Sequence, residues 1–176
     1  MKRHQLEHLI RAAGSITGCQ EIYIIGSQAI LATVSSGPEE LFLSREADVF
    51  VDEGAHLSDL IDGSIGELSP FDQTFGYYAH GVSEDTATLP SGWRERLVRL
   101  ENDNTGGTVG LCLEIHDLAA SKLLAGREKD REFVAALLRA ELIDLAVMRE
   151  RILALPVEEA RRQQVLASLE RLSTGR

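Results

Sequence analysis

Two acidic side chains, separated by one small residue, stand at the start of a β-type segment. Glu46 and Asp48 alternate with Ala47 and Val49. In a β-strand, residues two apart point to the same face, so the two carboxylates would lie side by side. Ionised carboxylates at that spacing repel each other unless a cation, protonation or solvent relieves them. The pair therefore predicts a divalent-metal site, and a solvent-exposed strand end is the alternative.

A Gly-Ser turn upstream is the second feature that could do chemistry. Gly26 and Ser27 follow a run of β-branched and apolar residues and begin the helical-looking stretch QAILATV. Backbone N–H groups at the start of a helix can bind a phosphate. Serine is also a common helix cap where no ligand binds, so the turn alone decides little. Together with the carboxylate pair, it predicts a phosphate-and-metal site.

The third feature is a lysine in an apolar setting. Lys122 is the only charged residue in the segment LAASKLLAG, and Arg127, Lys129 and Asp130 follow closely in GREKDREF. A lysine among apolar residues is costly unless its ammonium reaches water, a carboxylate or a phosphate. Snorkelling to the surface and a polar turn between two helices are the structural alternatives. The functional interpretation is that these side chains neutralise a polyanionic ligand.

A sheet and several helices are needed to position these residues, and the periodicity of the chain predicts both. Strands are predicted at 21–25, 47–51, 96–100 and 109–115, and helices at 4–16, 55–61, 117–125, 131–140, 145–153 and after Pro156. Strands in the first two-thirds and helices in the last third favour an α+β fold, a mixed β-sheet with a C-terminal helical bundle. We expect residues 1–116 to form the α/β core and residues 117–176 to pack on it as one compact unit.

The segment 64–92 breaks this regular pattern, because glycine, proline and aromatic residues alternate with polar ones. It predicts irregular strands and loops over the sheet. Phe71, Phe75, Tyr77 and Tyr78 could line a pocket, but aromatic side chains contribute strongly to cores. Core packing is the favoured interpretation.

Composition and charge narrow the function classes. The 176 residues suffice for one ordinary domain, and the formal charge of −10 divides into −11 for residues 1–116 and +1 for residues 117–176. This distribution of charge argues against an extended positively charged surface that binds nucleic acid. The sequence shows no signal-peptide pattern and no membrane-spanning stretch, so we expect a cytoplasmic protein. It also contains no P-loop and no dinucleotide-binding fingerprint. The histidines His56, His80 and His116 fit no metal-ligand spacing.

A resemblance to a known family rests on these same residues. Gly26-Ser27 and Glu46-Ala47-Asp48 resemble the G-S and D-x-D elements of the nucleotidyltransferase superfamily typified by DNA polymerase beta. The segment HDLAASKLLAGREKDREFVAAL is similar to the Lys-containing helix and Lys-Asp turn of AbiEii and MenT-like toxin nucleotidyltransferases. The segments IGSQAI, GELSPF, GYYAHGV and LAASKLLAGREKD resemble a branch of uncharacterised bacterial proteins. This likeness covers most of residues 20–140.

The resemblance implies a role for each matching residue. Gly26 and Ser27 would hold nucleotide phosphates, Glu46 and Asp48 would ligate Mg²⁺, and Lys122 would neutralise the triphosphate. Arg127, Lys129 and Asp130 match the turn that completes the toxin active site, so the catalytic set is Glu46, Asp48, Lys122 and Asp130. Glu114 is the candidate for the third metal carboxylate. The chain departs from the superfamily in carrying glutamate at the first acidic position and in a longer spacing from Ser27 to Glu46.

The implied activity is Mg²⁺-dependent transfer of NMP from an NTP to a hydroxyl of a tRNA 3′ end or of a protein. The protein would then be the toxin of a toxin–antitoxin pair, with a cognate antitoxin as partner. Two alternatives stay open. One is a catalytically inactive nucleotidyltransferase fold that serves as a binding module, and the other is an α+β domain without a nucleotide site.

Overall fold

A computed structural model describes residues 1–52 and 54–174 of the chain. The strands are β1 (Glu21–Ile24), β2 (Glu46–Phe50), β3 (Tyr78–Gly81), β4 (Val98–Leu100) and β5 (Val109–Cys112). The α-helices are α1 (Arg3–Thr17), α2 (Ala55–Ile65), α3 (Pro70–Phe75), α4 (Ile115–Ala125), α5 (Glu128–Arg139), α6 (Leu145–Leu153) and α7 (Glu159–Thr174). In this part of the chain, no helix combines the length and apolar character needed to cross a membrane.

The five strands form one mixed sheet in the order β3-β2-β1-β5-β4. Strand β1 is antiparallel to β2 and parallel to β5, whereas β2 and β3 run parallel and β4 and β5 run antiparallel. With the helices concentrated after β5, the molecule has the α+β architecture with a mixed sheet that the sequence predicts.

The sheet and the C-terminal helices share one hydrophobic core. Val165 and Leu169 of α7 are buried in the same cluster as the β-strand residues. The N-terminal helix α1 packs directly on β5. The contact is so close that a Cβ added to Gly110 would lie 2.4 Å from Cδ1 of Ile10. The division of the chain into a core of residues 1–116 and a helical region of residues 117–176 stays a prediction.

A buried carboxylate ties α1 to the connection between β4 and β5. Glu7 is buried, and it accepts N–H groups from Asn102 Nδ2 at 2.9 Å, Asn104 Nδ2 at 2.7 Å and Arg3 Nε at 3.3 Å. Burial raises the pKa of Glu7, but these three donors outweigh it and leave the pKa below its ordinary value. The network thus favours the ionised side chain.

The helical-looking stretch after β1 forms a short, tight helix. Ser27–Ala32 is a 3₁₀ helix, and its residues 28–31 are all buried. An amphipathic surface helix does not bury four residues in succession, and short buried connections commonly adopt this tighter turn. The helical-looking stretch is therefore a helix, and its burial accounts for the 3₁₀ type.

The segment 64–92 contains more regular structure than the sequence analysis predicts. Ser69 caps helix α3, because its side chain accepts the Asp72 N–H, and β3 forms one edge of the sheet. The rings of Phe71, Phe75 and Tyr77 lie 5.0, 4.8 and 6.0 Å from the His8 ring, so these three aromatic residues pack against α1. Short elements of this kind give too few repeats for periodicity to detect.

Candidate functional site

A cleft of about 900 Å³ lies between the sheet and the C-terminal helices. The turn after β1, strands β2 and β3, and helices α4, α5 and α7 all contribute to its wall. Of the residues that the sequence analysis proposes as a site, the following line the cleft: Gly26, Ser27, Glu46, Asp48, Lys122, Arg127, Lys129 and Asp130. Three segments that are distant in the chain therefore meet in one place.

One wall of the cleft carries a cluster of two carboxylates and an imidazole. Strand β2 buries Ala47 and Val49 on one face and leaves Glu46 and Asp48 half-buried on the other. Parallel pairing with β3 sets His80 beside Asp48. His80 Nδ1 lies 3.1 Å from Glu46 Oε1 and 3.4 Å from Asp48 Oδ1. One ligand atom from each of the three residues falls within 4.8 Å of the others.

Burial and the neighbouring charges together shift the pKa values of Asp48 and His80. Burial is the main reason why the pKa of Asp48 rises to about 6, and the neighbouring Glu46 carboxylate adds to the effect. Burial lowers the pKa of His80, but the carboxylates of Glu46, Asp48 and Asp62 outweigh it and raise the pKa overall. The cluster thus favours positive charge between its carboxylates, whether from a proton on His80 or from a bound cation.

Tyr78 supports the orientation of Glu46 from the neighbouring strand. Its hydroxyl donates to Glu46 Oε2 at 3.2 Å, and burial together with the Glu46 charge raises the pKa of Tyr78 to about 12. The phenol therefore keeps its proton and continues to donate at neutral pH. Unlike the other three aromatic residues of the segment 64–92, Tyr78 contacts a candidate site residue.

Gly26 holds the turn after β1 against the cluster. A Cβ at this position would lie 2.0 Å from Asp48 Oδ2, and the preceding Ile25 N–H donates to the Asp48 carbonyl at 3.1 Å. Only glycine leaves room for the carboxylate here. Gly26 also occupies the cap position of the 3₁₀ helix, of which Ser27 is the first residue, so Ser27 is not the ordinary N-cap that the structural alternative assumed.

A group of cationic side chains from α4 and the start of α5 also lines the cleft. Lys122 Nζ lies 3.0 Å from Asp130 Oδ1 and 4.8 Å from the centre of the Phe133 ring, and its side chain is 16% exposed. The Asp130 side chain is only 4% exposed, and Arg127 Nε lies 3.8 Å from its other oxygen. Lys122 therefore pairs with a buried carboxylate and does not snorkel. Lys129 lies exposed on the cleft wall beside this group.

Three polar side chains are notable among the cleft-lining residues that the sequence did not identify as site residues: His80, Arg161 and Gln28. His80 has no metal-binding spacing in the sequence and joins the cluster only because β3 pairs with β2. Arg161 of α7 adds a further cation, and its Nη2 donates to the Leu124 carbonyl at 2.7 Å. Gln28 is fully buried, and its Oε1 accepts no hydrogen bond from the described residues. The alternation of Tyr78 and His80 in GYYAHGV was the one available signal, since it matches that of Glu46 and Asp48.

The structure does not support Glu114 as the third metal ligand. Glu114 caps α4, where it accepts the N–H groups of His116 at 2.9 Å and Asp117 at 3.3 Å. Its other oxygen lies 2.7 Å from His116 Nδ1, and the residue does not line the cleft. Glu114 has a structural role instead, because its side chain accepts the free N–H groups at the start of α4. His80 occupies the third position beside the carboxylate pair.

This arrangement combines a site suited to a divalent cation with a set of side chains suited to phosphate groups. In a comparison with family models, residues 4–171 match the model of a family described as a nucleotidyltransferase of unknown function (DUF6036). Searches of curated proteins and of solved structures gave no match. Since the family model spans nearly the whole chain, the protein belongs to this family of nucleotidyltransferases of unknown function.

Proposed function

We propose that the protein transfers NMP from an NTP to a hydroxyl acceptor, with the reaction taking place in the cleft. The single observation that carries the proposal is the convergence of three segments: the Gly26-Ser27 turn, the Glu46–Asp48 pair and the Lys122–Asp130 group. Each segment has an ordinary structural explanation by itself. Their meeting in one cleft, in a chain of a nucleotidyltransferase family, favours a shared function.

The residues present fit a divalent cation such as Mg²⁺. Glu46 and Asp48 are half-buried carboxylates on one strand face, and their mutual repulsion is a cost that a cation would relieve. The missing Cβ of Gly26 gives the Asp48 carboxylate its place. When bound, the cation would supply charge neutralisation at the transferring phosphoryl group and lower the pKa of the acceptor hydroxyl.

The remaining residues act on the nucleotide by binding and orientation. Lys122, Arg127, Lys129 and Arg161 border the cleft and can neutralise the negative charges of the triphosphate and of the leaving pyrophosphate. Asp130 holds Lys122 at 3.0 Å, so the ammonium is pre-positioned before the nucleotide arrives. The Gly26-Ser27 turn can add backbone and hydroxyl donors in the same cleft. Catalysis would thus rest on positioning and electrostatics.

The acceptor in this proposal is a tRNA 3′ end or a protein hydroxyl, and the physiological role is that of a toxin restrained by a cognate antitoxin. The support is the resemblance of the Lys122–Asp130 segment to toxin nucleotidyltransferases. The test is incubation of the protein with labelled NTPs and Mg²⁺, first with total tRNA and then with cell protein. Label in either fraction supports transfer. NTP binding without label in any fraction favours the inactive binding module.

Binding of the nucleotide provides the sharper test. Isothermal titration calorimetry should detect NTP binding in the presence of Mg²⁺ and much weaker binding in EDTA. Asp48→Asn keeps the size of the side chain but removes its charge, so we expect NTP affinity in Mg²⁺ to fall at least about tenfold. Asp59→Asn, an exposed residue of α2 that does not line the cleft, serves as the matched control and should bind like the native protein.

Equal NTP affinity with and without Mg²⁺, unchanged in Asp48→Asn, contradicts the proposal. Circular dichroism of both variants shows whether lost binding reflects lost folding.

A further inference from the structure

The third side chain of the metal cluster is an imidazole and not a carboxylate. Within the described residues, the cluster that could hold an ion consists of Glu46, Asp48 and His80. Imidazole nitrogen suits transition metals, whereas Mg²⁺ is bound almost entirely through oxygen. The identity of this one residue therefore bears on which cation the protein uses.

The two distances from His80 to the carboxylates are close to the separation of neighbouring ligands on one ion. Two ligand atoms at right angles about an octahedral ion, each about 2.1 Å from it, are separated by about 3.0 Å. His80 Nδ1 is 3.1 Å from Glu46 Oε1 and 3.4 Å from Asp48 Oδ1. A cation between the two carboxylates can replace the proton on Nδ1 with small movements of the three side chains.

A purely structural ion pair is the competing explanation for His80. Its side chain is 49% exposed, and exposed ion pairs contribute little to stability. Two further features indicate a ligand site. The turn at Gly26 lacks the Cβ that would displace Asp48 Oδ2, and the fully buried Gln28 in the same cleft wall has an amide oxygen without a partner among the described residues. A buried acceptor of this kind is uncommon unless water, an ion or a ligand satisfies it.

We propose that His80 Nδ1 is the third protein ligand of the cation and that the resulting one-nitrogen, two-carboxylate site prefers Mn²⁺ to Mg²⁺. This inference rests on the proposed function in that it assigns the cation to Glu46 and Asp48. It goes beyond that function in naming the ligand atom and the class of metal. We expect Mn²⁺ to bind at least about tenfold more tightly than Mg²⁺, and His80→Gln to remove most of this difference.

Pulsed electron paramagnetic resonance of bound Mn²⁺ reads the ligand directly. Tag-free full-length protein, labelled with ¹⁵N-histidine, is loaded with Mn²⁺ alone in a buffer that contains no nitrogen ligands. A directly coordinated imidazole gives a ¹⁵N coupling, and loss of the free Mn²⁺ signal gives the affinity. Competition with Mg²⁺ in the same titration gives the preference.

Three variants complete the experiment. His80→Gln should lose the ¹⁵N coupling, and His80→Asp should shift the preference toward Mg²⁺ because it restores an oxygen ligand. His4→Gln replaces an exposed histidine of α1 that does not line the cleft, and it should behave like the native protein. The labelled native protein answers the question even where a variant folds poorly.

Bound Mn²⁺ without a directly coordinated nitrogen overturns the inference, and so does a failure of Mn²⁺ to bind at millimolar concentration. Neither result contradicts the proposed function if calorimetry still shows Mg²⁺-dependent NTP binding. Loss of that binding, in contrast, removes the proposed function.

Discussion

Replacement of Lys122 by methionine leaves the Asp130 carboxylate without the ammonium that lies 3.0 Å from it. The carboxylate side chain is 4% exposed, so water cannot easily take over the role of the lysine. Removal of one partner of a buried ion pair costs about 3–5 kcal/mol, because an uncompensated charge stays in the interior. We therefore expect Lys122→Met to be clearly less stable than the native protein.

Two features of the local structure reduce the free-energy cost of losing the Lys122 ammonium. Arg127 Nε lies 3.8 Å from the second oxygen of Asp130, and Lys122 itself is 16% exposed. Both features lessen the penalty, so we expect a loss of about 2–3 kcal/mol for Lys122→Met. For a chain of this length, that corresponds to a fall in melting temperature of roughly 4–12 °C.

A double-mutant cycle isolates the interaction between the two side chains. Asp130→Leu should cost about 1–3 kcal/mol, since it leaves a lysine that is partly exposed. The double variant Lys122→Met/Asp130→Leu should recover most of the stability, because replacement of both charges by apolar groups is often close to neutral. Urea unfolding followed by circular dichroism measures each free energy. Lys129→Met, an exposed lysine of the same segment, is the control and should change stability by less than about 0.5 kcal/mol.

The same variants separate a structural from a functional role for Lys122. If the lysine also neutralises phosphate, the stable double variant should fold and yet bind NTP at least about tenfold more weakly by calorimetry. Additive losses in the double variant refute the reasoning about the buried pair. Native NTP affinity in the double variant refutes the functional role and favours an α+β domain in which Lys122 serves folding alone.

Two further substitutions test the packing at the cleft and the buried network of α1. Gly26→Ala places a Cβ 2.0 Å from Asp48 Oδ2, so calorimetry should show an NTP affinity reduced at least about tenfold. Gly63→Ala is the control and should not change the affinity, because its new Cβ meets nothing within 4 Å. Glu7→Gln should cost about 1–3 kcal/mol at pH 7, measured by urea unfolding. Because the folded-state pKa of Glu7 lies below its ordinary 4.5, this contribution is complete above pH 4.5 and is lost as the pH falls through the folded-state value, so the difference should shrink at pH 3. A difference that is independent of pH contradicts the role assigned to the Glu7 charge.

The sequence by itself determined the features that depend on neighbours in the chain. The alternation of a strand placed Glu46 and Asp48 on one face and Ala47 on the other, and the structure has them so. Helical spacing located the C-terminal helices to within a few residues, for example α6 at Leu145–Leu153. The apolar surroundings of Lys122 identified it as a residue that needs a partner.

Only the tertiary structure decided which distant residues join these. His80 enters the cluster through the pairing of β3 with β2, and Arg161 through the packing of α7 beside α4. Glu114 is the opposite case. Its carboxylate accepts N–H groups at the start of α4, and it does not line the cleft. Pairing and packing are set by the whole core, because many combinations of strands satisfy the same local pattern and the one that buries the most apolar surface prevails.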